Sequence, residues 1–429
     1  MPLDPSMSFG SMTADAAILP HAVTSGEALT SGDALSLPVP VPSVQTGLAQ
    51  TDPEPQKTAQ AVLDLPARCG LEEVQERIWE DDRGKWDQTI PRERLSLCGG
   101  EIILPAEYHE DYPTCLALSP WATAQACQRL GIPPDYFRRL SRPLKDANFN
   151  HWLWRQKLEP DEDGASPGSP RPWLLRCKNQ TVRAVLSDRY VPLDNADLLA
   201  ILVPLLEGRF EVRSLSLTPE SLHLRLVDPR LAREVLPDDR LMAGVHFKNS
   251  ETGNHSVSVD AMVWRLICLN GMVKLVRGKS LLRQRHVSWD HPRFADALRR
   301  AVSEALTAGA GLIDRLEAAT REPVPDVEGV IRALGQQAAL TQSVQERVRL
   351  ALLATPPSQA ETVYGLTQAL TLVAQSLAPD DRYALEVTAG RLLDEGLPAP
   401  VKLIPVQADA VIYRSGNQRA RGNGRMSGG

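Results

Sequence analysis

Residues 244–276 read GVHFKNSETGNHSVSVDAMVWRLICLNGMVKLV, and their alternation decides the fold. Val245 and Phe247 alternate with His246 and Lys248, the period of a strand with one buried face. Residues 249–254 form a turn cluster in which Gly253 is free to take positive φ. Val257 and Val259 then alternate with Ser256 and Ser258, so the two runs predict a β-hairpin. Asn249, Ser250 and Gly253 read as turn formers, the Asn and Ser side chains bonding local backbone, with a contact role for the tip as the alternative. Residues 263–269 are apolar except for Arg265, and Asn270-Gly271 follows. Asn-Gly between apolar runs predicts a second hairpin, because a type I′ turn needs positive φ at both central positions. A short helix over residues 260–269, capped by Asn270 or Gly271, is the other reading.

The surrounding chain has 429 residues, enough for two domains, with 43% hydrophobic and 23% charged residues, as in ordinary soluble proteins. No apolar run approaches the ~20 residues of a membrane span. The N-terminus lacks a basic region followed by an apolar segment, so no signal peptide and a cytoplasmic location are expected. None of the six cysteines sits in a Cys-x-x-Cys pair, which fits buried thiols in a reducing compartment. Cys98 and Cys115 with His109 between them match no standard zinc spacing. A net charge of −6 excludes a uniformly basic nucleic-acid coat but leaves room for a local basic stripe.

Residues 1–60 are rich in Ser, Thr, Ala, Pro and Asp and read as a disordered arm. Residues 71–79 fit a short amphipathic helix, and Trp86 to Pro91 a looser region. A strand pair is expected around Gly99-Gly100. Residues 120–130 predict a helix with Ser119 as N-cap, Pro120 at its first position and Gly131 at its end. Helical turns at 134–140 and 149–158 follow. The piece QRLGIPPDYFRRL suggests either a basic helix-turn-helix or plain packing. Residues 159–172 read as an exposed loop. Strands are expected at 173–178 and 182–186 around Asn179-Gln180, then a helix at 198–206 capped by Asp194 or Asn195. Another hairpin is expected at 210–217 and 221–227, and a charged connection at 228–240. Helices are expected at 292–319, 327–338, 344–353, 361–377 and 382–393, forming a small helical bundle. The Gly/Arg-rich tail, residues 411–429, reads as disordered.

Three stretches carry a resemblance: RAVLSDRYVPLDNADLL (183–199), GVHFKNSETGNHSVSV with RLICLNGMV, and TVYGLTQALTLVAQSLAPDDRYALEVTAGRLL near the C-terminus. Together they resemble the DUF932 family, phage- and plasmid-like proteins of unassigned activity. The resemblance covers residues 115–395 and implies a loose association with DNA transactions. A hairpin-rich sheet followed by a long helix is also similar to single-strand annealing proteins, as fold-level analogy.

The charge pattern supplies the candidate site. From Arg265 to Arg300 there are nine cations, among them Arg265, Lys274, Arg277, Lys279, Arg283 and Arg285, against only Asp290 and Asp296. Such a stripe would track a phosphate backbone, with Trp289, His286 or Tyr190 stacking on bases. Lys248, Arg183 and Arg189 would extend it. The plainer alternative is a solvated rim whose cations pair with acids elsewhere. The four arginines of the tail would add non-specific contacts. His286, Asp290 and His291 are imaginable metal ligands, but Asp290-His291-Pro292 more simply opens the next helix. His246 and His255 fall on polar strand faces and read as solvated. No Gly-x-Ser-x-Gly or phosphate-loop motif occurs, and Gly309 and Gly311 in TAGAGL suggest close helix packing.

The expectation is an α+β protein: a mostly antiparallel β-hairpin sheet, a helical C-terminal part and a disordered N-terminal arm. Its segments would be 1–60, 61–172 (mainly helical), 173–320, 321–410 and 411–429. The expected function is single-stranded DNA binding or annealing without catalysis, as an oligomer and with no cofactor or metal. The nucleic-acid residues would be Lys248, Arg265, Lys274, Arg277, Lys279, Arg283, Arg285 and Trp289. A metal-dependent nuclease and a partner-binding protein without nucleic acid are the alternatives.

Overall fold

The computed structural model describes residues 63–64, 70–108, 112–155, 171–206, 208–266, 270–274, 279–287, 291–337 and 340–399. The expectations for the arm, the tail and most of the loop at 159–172 lie outside the described residues. The N-terminal part gives β1 (Leu63–Asp64), α1 (Leu71–Asp82), β2 (Lys85–Ile90), β3 (Ser96–Cys98), β4 (Glu101–Ile103) and β5 (Cys115–Leu118). Three helices follow: α2 (Pro120–Leu130), α3 (Pro134–Arg139) and α4 (Arg142–Arg155). Next come β6 (Trp173–Lys178), β7 (Thr181–Ser187), α5 (Asn195–Leu206) and β8 (Glu211–Leu217). The central strands are β9 (Leu222–Leu236), β10 (Asp239–Asn249), β11 (Val257–Arg265), β12 (Asn270–Lys274) and β13 (Leu282–Gln284). Helices close the chain: α6 (His291–Ala319), α7 (Val327–Gln337), α8 (Gln342–Leu353), α9 (Pro357–Ala360), α10 (Val363–Ala374) and α11 (Pro379–Glu395). The fold class is α+β, as expected.

The strands form two sheets. The first has the order β2-β6-β7-β5-β4-β3 and is antiparallel except for the β5–β7 pair. Residues 85–90 are therefore not a loose region. Ile90 is fully buried, and β2 pairs along its whole length with β6, from Lys85↔Lys178 to Ile90↔Trp173. Asn179 makes the β6–β7 turn at φ 52°. α2 begins where its cap residue dictates: the Ser119 hydroxyl accepts from Ala122 N at 3.0 Å, and Gly131 ends the helix at φ 71°. α2 and α3 do follow one another, but α3 has six residues and buries Phe137 in the core of this sheet.

The second sheet has the order β1-β8-β9-β10-β11-β12, with β13 beside the start of β11. Its central hairpin is longer than the hydrophobic pattern shows. The expected charged connection at 228–240 is strand instead: β9 runs to Leu236, Asp238 turns at φ 64°, and β10 starts at Asp239. The reason is that Leu231, Val235 and Leu236 pack on the C-terminal helices, while Arg233 and Glu234 between them are exposed and Arg233 pairs with Asp314 and Glu317 of α6. Asn270-Gly271 is likewise no turn. Both lie inside β12, paired with Arg265 and Trp264. Gly271 is small because a Cβ there would sit 3.0 Å from the Trp264 ring. β11 also displaces the helix considered for residues 260–269.

The two faces of this sheet differ in kind. Leu222, Leu224, Val245, Phe247, Val257 and Val259 point to a core shared with α5 and the first half of α6. The second half of α6 packs with α7, α8, α10 and α11 in a second apolar core. The helix expected over 361–377 begins at Val363, where Thr362 caps it by accepting from Gly365 N at 3.1 Å. A Cβ on Gly309 would lie 3.0 Å from Ala243, so Gly309 of TAGAGL does serve close packing, against the sheet, whereas Gly311 is exposed and meets nothing within 4 Å. The other face alternates polar groups and is covered by α11. Among the described residues, no helix is long and apolar enough to cross a membrane.

Candidate functional site

The loop between β10 and β11 organises the site. Asn249, Ser250, Glu251 and Thr252 are all buried, so this is not a solvated hairpin tip. Local bonding does occur: the Ser250 hydroxyl accepts from Asn254 N at 3.0 Å, and Gly253 has φ 76°. The first sheet then grips the loop. Trp121 Nε1 and Gln125 Nε2 donate to the Thr252 carbonyl, and Arg176 Nη1 donates to the Glu251 carbonyl at 2.7 Å. Lys85 and Arg183 both reach the Glu251 carboxylate, which also accepts from Asn195 N at 2.8 Å. Burial would raise this carboxyl, but the two cations outweigh it and bring it down to about 2.

Beside the loop opens a cleft of about 680 Å³. Lys248, Lys279, Arg283 and Arg285 line it, together with His255, Ser258, Ser280, Tyr190 and Tyr383, and among the described residues no carboxylate lines it. Register explains the convergence. Lys248 and Ser258 are partners across β10 and β11, and Ser258 is in turn the partner of Arg283 on β13. Among the described residues no carboxylate pairs with Lys279, Arg283 or Arg285. The Tyr190 and His286 rings stack on each other, 5.0 Å between centroids and 13° apart.

The remaining expected residues go elsewhere. Arg265 Nε bonds Asp239 Oδ1 at 2.7 Å, and Lys274 Nζ bonds Asp394 Oδ1 at 2.8 Å. Neither lines the cleft. Arg183 is held by Glu251, and Arg189 is exposed. Arg277 and Trp289 lie outside the described residues.

Under the cleft runs a chain of titratable groups. The covered sheet face carries His223 and Arg225 on β9, His246 and Lys248 on β10, and Ser258 and Asp260 on β11. α11 lays Asp380, Tyr383 and Glu386 over them. His255 Nε2 lies 2.7 Å from Asp380 Oδ1, which also meets His223 Nε2 at 3.1 Å. His223 Nδ1 is 3.1 Å from His246 Nε2, and His246 Nδ1 is 3.6 Å from Asp260 Oδ2. The Tyr383 hydroxyl donates to Asp260 at 3.0 Å. Arg225 bonds Glu386 at 2.9 Å, with both side chains fully buried.

His246 is thus buried rather than solvated, because a helix more than 130 residues downstream covers its face. Burial pushes His223 down to about 4 and His246 well below the usual histidine range. The bonding pattern assigns neutral tautomers: His223 donates to Asp380 through Nε2 and accepts from His246 through Nδ1. Burial raises Asp260 and depresses Lys248. Asp380 stays far below the carboxylate range, since the bonds from His223 and His255 outweigh its burial.

Among the described residues, no group of three or more His, Cys, Asp or Glu is arranged to hold a metal ion. Of the imagined metal set, His286 packs on Tyr190, while Asp290 and the His291 side chain lie outside the described residues. Sequence reading missed His223, Asp380, Tyr383 and Glu386. A signal existed: polar residues occupy the same face of three consecutive strands, and such a face needs a polar cover. Comparison with family models, curated proteins and solved structures found no match to the chain.

Proposed function

We propose that the cleft binds single-stranded nucleic acid, with single-stranded DNA as its first ligand, through the phosphate backbone. One observation carries this reading: four cations line a single cleft, and three of them, Lys279, Arg283 and Arg285, have no carboxylate partner among the described residues. Cations without carboxylate partners at a protein surface attract polyanions and hold them by counterion release. The cleft volume, about 680 Å³, falls within the ~300–1,000 Å³ of small-ligand pockets, room for a short piece of one strand.

The test is fluorescence anisotropy of a labelled oligonucleotide, single- against double-stranded, across a salt series with and without Mg²⁺. The expected result is single-strand binding that weakens steeply with salt and is indifferent to Mg²⁺. Absence of binding at low salt would overturn the reading and turn attention to a protein partner.

A further inference from the structure

We propose that the same cleft cleaves RNA by metal-independent transesterification, with His255 as the catalytic base. The proposal rests on the strand-binding reading above and adds an activity to it. Its basis is the arrangement at the cleft wall. His255 lines the cleft with its side chain 24% exposed, and a carboxylate holds its Nε2 at 2.7 Å. That carboxylate, Asp380, is itself fixed from beneath by His223, which His246 fixes in turn. A base oriented by a carboxylate that is oriented by the fold is the pattern of general acid–base sites. Lys248 shares the cleft, its ammonium partly withdrawn from water beside the Tyr383 ring at 4.3 Å. Lys279, Arg283 and Arg285 would neutralise the phosphate.

The step balances without a metal or co-reactant. The free ring nitrogen of His255 takes the proton of a ribose 2′-hydroxyl. The 2′-oxygen attacks the adjacent phosphorus, forming one P–O bond as the bond to the 5′-oxygen breaks. The leaving 5′-oxygen takes a proton from the Lys248 ammonium. The products are a 2′,3′-cyclic phosphate and a 5′-hydroxyl, and proton exchange with water resets both side chains. DNA has no 2′-hydroxyl and would be bound intact.

The experiment compares RNA and DNA oligonucleotides of one sequence, incubated with the full chain in EDTA and resolved on a gel, with anisotropy run in parallel. RNA should be cut to cyclic-phosphate ends and DNA left whole. His255→Gln, purified identically, should lose about 100-fold or more in cleavage rate while retaining affinity. Asp380→Asn should slow cleavage and shift its pH profile, as a positioning residue would. RNA bound but uncut, or cut equally well by the His255→Gln protein, overturns this proposal and leaves the binding reading standing. Failure of either strand to bind overturns both.

Discussion

Arg183 Nη1 lies 2.7 Å from Glu251 Oε2, and the contact joins the two sheets: Arg183 belongs to β7, Glu251 to the loop between β10 and β11. Lys85 of β2 reaches the same carboxylate at 2.8 Å, and all three side chains are buried. Removing the acid strands Arg183 out of water and leaves Lys85 with Asp81 and Asp82 alone. Breaking a buried pair from one side costs about 3–5 kcal/mol. Glu251→Gln, which keeps the shape and removes the charge, should lower the unfolding free energy by about that amount in urea titration. A loss below about 1 kcal/mol would mean that water reaches the cations and that the loop is not the joint between the sheets.

Two buried groups separate the acid response into windows. His223 ordinarily titrates near 6.5 but is held at about 4, so between these values the unfolded chain binds a proton that the folded chain refuses. Its contribution is complete above pH 6.5 and lost as pH falls through 4, about 3 kcal/mol in all. Glu251 has its carboxyl depressed from 4.5 to about 2, so its contribution is complete above 4.5 and lost as pH falls through 2. Stability measured against pH should decline in both ranges. His223→Gln should reduce the upper decline, to which the depressed His246 and His286 also contribute, and leave the lower one; Glu251→Gln should reduce the lower decline and leave the upper one.

Local chemistry was legible and long-range cover was not. The Ser119-Pro120 start of α2, the Asn179 turn and the Gly99-Gly100 turn all follow from backbone preferences that a few residues carry. The alternation at Val245, Phe247, Val257 and Val259 gave the right strands and the right inward face. It did not show what covers His246, because α11 lies far along the chain and its Asp380 and Tyr383 read as ordinary helix-start residues. The polar loop 249–254 was legible as a turn but not as buried, since its partners Arg176, Arg183 and Lys85 belong to another sheet. Of the basic stripe, adjacency in sequence placed Lys279, Arg283 and Arg285 together, while strand pairing turned Arg265 and Lys274 toward Asp239 and Asp394.

Two helical glycines should respond to alanine with opposite sign. Gly390 of α11 packs so close to β12 that a Cβ would press into the Val273 carbonyl oxygen, which is backbone and cannot step aside. Gly390→Ala should therefore lift α11 and destabilise the protein by about 1–3 kcal/mol. Gly311 of α6 is exposed, and a Cβ added there would meet nothing within 4 Å. At that position alanine gains helix propensity, and Gly311→Ala should stabilise by about 0.5–1 kcal/mol. Thermal melts of the two variants on either side of the parent would support the docking of α11. A neutral Gly390→Ala would argue that α11 stands off the sheet.

The cleft makes a quantitative demand on salt dependence. For a single strand, log K falls with log salt by about 0.7 per phosphate neutralised. Lys279, Arg283 and Arg285 line the cleft without carboxylate partners among the described residues, so changing all three to Ala should reduce the slope by about 2 and weaken binding at low salt. Lys274 provides the control. It is already neutralised by Asp394, away from the cleft, so Lys274→Ala should leave both slope and affinity unchanged. Compared per charge removed, three cleft charges against one elsewhere in the stripe, the variants test geometry and not net charge. If the triple variant kept the parent slope while remaining folded, phosphate contact would have to be moved off this cleft.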